Sequence, residues 1–255
     1  MRPWVRPPEP QVIQELFVRC GTPRHFEKGA FMPHGGKGEG AQAGFLVKGL
    51  AALSCVDVLG GAHVFALIAP GRAAGDLDVI NPHRVAVQVE FLRPSTVLMV
   101  PRERFLEELR SSIELMEIYA DLAILKQESA LEGMLANFTL ELDARLRVLL
   151  LSVITSFAEL DENGWNACPL GLTITELSLL LSADRSWVST KVNAWIRAGD
   201  ARKDGRRLLI HGRLFKSVQD WGRSGDAAPE GLKAEPTPAE HYAELRRRRH
   251  ANSSL

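Results

Sequence analysis

Between residues 172 and 199 the chain reads LTITELSLLLSADRSWVSTKVNAWIRAG, and its chemically capable side chains gather on one side. In the second half, Arg185, Ser186, Ser189, Thr190 and Asn193 point one way while Val188, Val192 and Ile196 point the other. A face of short hydrogen-bonding groups plus one arginine suits recognition rather than bond-making. An arginine in the first turn of such a helix can be bidentate to guanine O6 and N7, discriminating by roughly 1–3 kcal/mol per good pair. Serine and threonine supply short contacts to phosphates or bases. Beyond Gly199, Lys203, Arg206 and Arg207 form a basic cluster suited to phosphate charge. Catalysis has no comparable footing. No paired carboxylates, Ser–His or Cys–His arrangement, or glycine-rich phosphate loop stands out, so an enzyme is not expected.

Two short helices must position these groups, with a break at Ala183-Asp184-Arg185. Thr173-Ile174-Thr175-Glu176 is a capping box that starts the first helix, and Leu177, Leu180 and Leu181 give it a buried face. Asp184 is placed to N-cap the second. Ser182 stands where glycine would be easiest, and a left-handed conformation there costs on the order of 1 kcal/mol. The run ARKDGRRLLI, 201–210, reads as a tight basic hairpin. Helix, turn, helix and wing place Arg185 and Ser186 where a recognition helix meets base edges. A helical hairpin of purely structural use is the competing reading. The expected DNA-contacting set is Thr173, Arg185, Ser186, Ser189, Thr190, Asn193, Lys203, Arg206 and Arg207.

Upstream, residues 1–10 read as a loose proline-rich arm and 11–19 as a short amphipathic helix. From Phe26 to Val100 short apolar runs at 44–47, 50–58, 63–69, 85–92 and 96–100 alternate with glycine and proline, which predicts a small β sandwich or jelly roll. Leu59-Gly60-Gly61-Ala62 suits a hairpin turn. After Pro101 the period becomes helical: a short helix at 102–110, a long one from 111 to about 138, and a largely apolar one at 140–157. On the long helix Leu115, Ile118, Leu122 and Leu125 follow 3-4-3 spacing, then Ser129, with Leu131, Met134 and Leu135 continuing after a shift, a narrow stripe suited to a homodimer seam. Packing against the chain's own β domain is the alternative. Residues 161–170 read as a loop. Past Trp221 the sequence is rich in Gly, Pro, Ala and charge and predicts a flexible tail, with a brief helix at 239–249.

The 255 residues carry 31 basic and 31 acidic side chains, so any affinity for nucleic acid rests on local charge. Cys20, Cys55 and Cys168 are few and scattered, which fits a reducing cytoplasm and supplies no iron–sulfur cluster. No secretory signal or membrane-length apolar run is present, so a cytoplasmic protein without membrane partners is expected. His25, His34 and His63 lack metal-ligand spacing, and His83 is the one candidate haem ligand near the middle of the β region. The run Arg246-Arg247-Arg248-Arg249 is a solvated charge cluster or a source of non-specific DNA affinity.

The order of sandwich, seam helix, buried helix and LTITELSLLLSADRSWVSTKVNAWIRAGDARKDGRRLLI resembles the cyclic-AMP receptor protein/Fnr family over residues 20–220. GFLVKGLAALS (44–54) is similar to its strand-turn-strand element, and PGRAAGDLDVINPHRVAVQVEFL (70–92) takes the place of its phosphate-binding cassette. The resemblance implies an α+β chain: a cyclic-nucleotide-binding-like effector domain (11–110), a dimerisation helix (111–138), a winged helix-turn-helix (139–221) and a tail (222–255). It implies a homodimer on palindromic double-stranded DNA, with RNA polymerase and an unknown small molecule as further partners. Gly75, Asp76, Leu77 and Arg84 match the family's ligand-holding positions. However, Val85 follows Arg84 where a hydroxyl residue should, and Pro82 sits in a short connection. A cyclic phosphate would lose at least one charge-assisted hydrogen bond, so cyclic AMP is not the expected effector. The alternative function is a ligand- or partner-sensing β domain with a degenerate DNA module.

Overall fold

Glycine and proline punctuation divides the first hundred residues into short pairing segments, and helical periodicity takes over after them. The computed structural model describes residues 2–33, 40–56, 62–80, 87–205 and 207–219. In order these form α1 (Gln11–Cys20), β1 (Thr22–Phe26), β2 (Gln42–Lys48), β3 (Ala51–Val56), β4 (Ala62–Ile68), β5 (Arg72–Ala74) and the short α2 (Asp76–Ile80). Next come β6 (Val87–Phe91), β7 (Ser95–Pro101), α3 (Arg102–Arg110), α4 (Ile113–Thr139) and α5 (Leu142–Thr155). The last part holds β8 (Trp165–Ala167), α6 (Ile174–Leu180), α7 (Arg185–Arg197), β9 (Ala201–Asp204), β10 (Arg207–His211) and a 3₁₀ turn at Gly212–Phe215. The tail, the 239–249 segment and residues 59–61 of the expected hairpin turn lie outside the described residues.

Two antiparallel sheets, β1-β7-β2-β5 and β4-β3-β6, make the sandwich. Phe26, Leu46, Leu53, Ile68, Val89, Phe91 and Val97 from both sheets fill it, with Phe26 stacked on Phe91 at 4.3 Å between centroids. The turn from β2 to β3 depends on Gly49, whose φ is +112° and whose place would put a Cβ 2.1 Å from the Ser95 hydroxyl oxygen. A second cluster seats α1, α3 and the start of α4 on the outer face of β2 and β7, through Phe17, Phe45, Phe105 and Leu109. A third runs from Trp4, Ala52 and Leu67 into α5, α6 and α7, so the sandwich and the C-terminal helices share a core. The expected loop at 161–170 contains β8, which adds to the wing sheet by pairing Asn166 with Ile210.

The expectation of a loose arm at 1–10 is overturned. Trp4, Val5, Arg6 and Glu9 are all buried. Val5 pairs with Leu67 in parallel, the Leu67 N–H donates to Trp4 O at 2.6 Å, and the Arg6 N–H donates to Leu67 O at 3.1 Å. Proline removes donors but leaves this edge pairing open to Val5 and Arg6, which is why composition misled. Trp4 takes a left-handed φ of +61°. Its indole lies on Gly133 of α4, where a Cβ would come within 2.8 Å of the ring. Burying an indole contributes roughly 3 kcal/mol or more, against roughly 1–2 kcal/mol of left-handed strain and roughly 1–3 kcal/mol for its Nε1–H, which is buried without a partner among the described residues.

Candidate nucleic-acid interface

The helix pair is built as its sequence dictates. Thr173 Oγ1 accepts from the Glu176 N–H at 3.2 Å, and Glu176 accepts from the Thr173 N–H at 2.8 Å, a complete capping box. Glu176 has a second partner. Arg93, in the turn between β6 and β7, clasps its carboxylate with both terminal nitrogens and donates to Gly171 O at 3.0 Å. Burial pushes Glu176 up, but the Arg93 fork and the cap N–H outweigh it and leave its carboxyl below the ordinary value.

The break between helices falls at 181–184, so Arg185 already belongs to α7 rather than to the turn. Asp184 occupies the N-cap position, yet its side chain makes no capping hydrogen bond. Ser182 is left-handed, with φ +48°. Ser182→Gly should therefore stabilise the protein by about 0.5–1 kcal/mol, read as a raised urea midpoint. An unchanged or lowered midpoint would show that the turn is not strained.

On α7 the buried stripe is Val188, Val192 and Trp195, with Ile196 only partly covered. The spacing i, i+4, i+7 brings Trp195 inward, where the Arg147 guanidinium lies 5.7 Å from its ring centroid. Trp187 packs partly against the same core. Arg185, Ser186, Thr190 and Asn193 are exposed and Ser189 is half-exposed.

The wing pairs Arg207 with Asp204 and Lys203 with Leu208 around Gly205, whose φ is +56°. Lys203 and Arg207 are exposed; Arg206 lies outside the described residues. A cleft of about 550 Å³ brings Thr173, Ser189, Asn193, Lys203 and Arg207 together, while Arg185, Ser186 and Thr190 do not line it. Two cations that the sequence reading missed, Lys28 and Arg93, line its sandwich side. Neither belongs to a motif; only Glu176, a capping residue, hinted that an arginine could be near.

One of the expected effector residues, Asp76, has a different role. Asp76 is fully buried; Lys126 Nζ donates to it at 2.6 Å and Tyr119 Oη at 2.9 Å, with Arg6 Nη1 at 3.4 Å. Burial opposes its ionisation, but Lys126, Arg6 and the phenol win and hold its carboxyl well below the ordinary range. Burial pushes Glu9, 2.8 Å from the same ammonium, upward. Asp76 is thus an internal counter-ion rather than an acid facing a ligand's hydroxyl, which corrects its expected role. Gly75 and Leu77 line a cavity of about 110 Å³ beside Lys126. Arg84 and His83 lie outside the described residues. Among the described residues, the acid expected to face a ligand's sugar is already paired within the chain.

The seam also needs correction. Leu115 and Leu122 are only 8% and 3% exposed, packed in the chain's own core near Phe105 and Tyr119, with Ile118 partly buried beside them. Of the four expected residues only Leu125 is exposed. The open apolar stripe lies on the opposite side, through Ile113, Ile124, Leu131, Met134, Leu135 and Phe138. Ile124, Leu131 and Phe138 repeat every seven residues, the period of a two-helix seam.

Among the described residues no group of three or more His, Cys, Asp or Glu side chains is placed to hold a metal ion, and no helix is long and apolar enough to cross a membrane. Cys168 is buried, and burial pushes its thiol up to about 11.

No protein-family model matches the chain, and no curated protein matches it. Solved structures do. FixK2 from Bradyrhizobium japonicum aligns with a TM-score of 0.63 at 16% identity, covering 82% of this chain and 98% of that one. CprK complexed with OCPA aligns at 0.61 and 14% identity, over 83% and 96% of the two chains. TTHB099, a CRP-family transcriptional regulator from Thermus thermophilus, aligns at 0.60 and 16% identity, over 77% and 96%. The chain therefore has the fold of the CRP/FNR transcription regulators across most of its length.

Proposed function

We propose that the chain is a homodimeric, sequence-specific DNA-binding transcription regulator of the Crp/Fnr type that does not answer to cyclic AMP. One observation carries this reading: Arg185, Ser186, Thr190 and Asn193 stand exposed on α7 next to the exposed wing cations Lys203 and Arg207. In this reading α7 enters the major groove and the wing lies along phosphates. A second copy, paired along Ile124, Leu131 and Phe138, presents a second α7 to the other half of a palindrome. RNA polymerase and a small effector are its further partners.

Selection of bound duplexes from a random pool tests the reading, and an enriched palindrome is the expected result. Arg185→Ala should then erase the preference at one base-pair position, a loss of about 1–3 kcal/mol on the selected site with non-specific affinity intact. Lys203→Ala should weaken every duplex alike and lower the salt slope by about 1. Uniform loss in Arg185→Ala would count against base readout.

The other reading, a sensing β domain with a degenerate DNA module, is favoured by one feature. Ser189 and Asn193 share a cleft with Lys28 and Arg93 of the sandwich. A pool without enrichment, from a folded dimer, would support it.

A further inference from the structure

Arg72, in β5, is 3% exposed, and every group its guanidinium donates to is a carbonyl. The acceptors are Arg6 O at 2.5 Å, Pro70 O at 3.0 Å and Ser156 O at 3.4 Å, and its Cζ lies 4.7 Å from the Phe157 ring centroid. Among the described residues no carboxylate forms an ion pair with it, or with Arg2. Burial first, and then the like charge of Arg2, bring Arg72 down to about 10. The neighbouring carboxylates Glu9 and Asp76 are both held by Lys126. Four cations, Arg2, Arg6, Arg72 and Lys126, thus gather around two acids, an excess of two positive charges.

A cavity of about 280 Å³ opens on this excess, lined by Arg2, Arg6, Arg72, Leu125, Ser129 and Ser156 together with Val5 and two prolines of the N-terminal segment. None of its walls is acidic. It shares only Arg6 with the smaller cavity beside Gly75 and Leu77, so it is a separate place.

We propose that this cavity binds a small organic dianion, a phosphate monoester on a compact apolar body, between the guanidinium groups of Arg2 and Arg72. The planar guanidinium fork matches phosphate oxygens, and charge-assisted bonds of this kind are about twice as strong as neutral ones. Leu125 and the prolines supply an apolar wall for the rest of the molecule. The volume lies just under the ~300–1,000 Å³ usual for drug-sized ligands, which restricts the occupant to a small one. The walls come from the N-terminal segment, β5, α4 and the residue after α5, so an occupant would tie these four parts of the chain together.

The site stands whether or not the chain reads DNA, and its test uses none. Phenyl phosphate and, separately, phenol are titrated calorimetrically into the full chain at fixed ionic strength. Saturable uptake of one phenyl phosphate per chain is expected, with none of phenol. Arg2 is exposed, so its substitution spares the fold. Arg2→Ala should weaken phenyl phosphate by about tenfold, the equivalent of one lost charge-assisted contact, and Arg2→Glu should weaken it further. No saturable uptake of phenyl phosphate, equal uptake of phenol, or unchanged affinity in both Arg2 variants would overturn the proposal.

Discussion

Lys126→Met should lower stability at neutral pH by about 3–5 kcal/mol, because the substitution leaves two buried carboxylates without their shared ammonium. Lys126 is 2% exposed and contacts Asp76 at 2.6 Å and Glu9 at 2.8 Å, so neither acid can turn to water for compensation. Urea unfolding of the purified variant reads the loss. Adding Glu9→Gln to Lys126→Met should recover part of it, since the one remaining acid, Asp76, still faces Arg6 and the Tyr119 phenol. A loss that persists in full in the double variant would move the explanation to packing. The pH dependence has a definite sign. The folded pKa of Asp76 is depressed, so its contribution is present above the ordinary carboxylate value of about 3.9 and is lost as pH falls through the lower folded value. The penalty of Lys126→Met should therefore shrink in acid. Glu9, raised by burial, works the other way: its contribution is present below its ordinary value and is lost as pH climbs through the higher folded one.

The second large effect concerns the open face of α4. Ile124 and Leu131 are 58% and 59% exposed and seven residues apart. Under the homodimer reading, Ile124→Asp with Leu131→Asp sets two pairs of like charges against each other across the seam, while the chain's own core loses nothing. Sedimentation should show a folded monomer. Affinity for a palindromic duplex should fall by about a hundredfold or more, because two linked half-site contacts become one. A dimer surviving both substitutions would place self-association elsewhere. Leu122→Asp is a poor version of this test. Leu122 is 3% exposed in the chain's own core, so its loss would unfold the protein before it separated two copies.

That contrast shows where sequence reasoning reached and where it stopped. The extents of α3 and α4, the capping box at Thr173 and Glu176 and the left-handed Ser182 were legible, because each is set by neighbours a few residues away. The phase of the seam was not. Helix α4 has two apolar faces, and 3-4 spacing describes Leu115 and Leu122 as well as Ile124 and Leu131; which face the sandwich covers is decided by residues far away in sequence. Composition marked residues 1–10 as loose because four of the ten are proline and little in their order is periodic. Trp4 and Val5 are ordered by Leu67 and Gly133, which no local window contains. The role of Asp76 was hidden for the same reason. Its partners come from residues 6, 119 and 126, and only the folded chain brings them to one carboxylate.

Glu176 also serves two neighbours at once, the opening turn of α6 and Arg93 on the sandwich. Removing Arg93 would return this carboxylate to the helix alone and loosen this joint, leaving the shared core as the remaining contact. Removing Glu176 would unfasten the joint and fray the turn that sets α7 in place. One side chain thus ties the sandwich contact to the opening turn of α6, and the two can be loosened separately only from the arginine side.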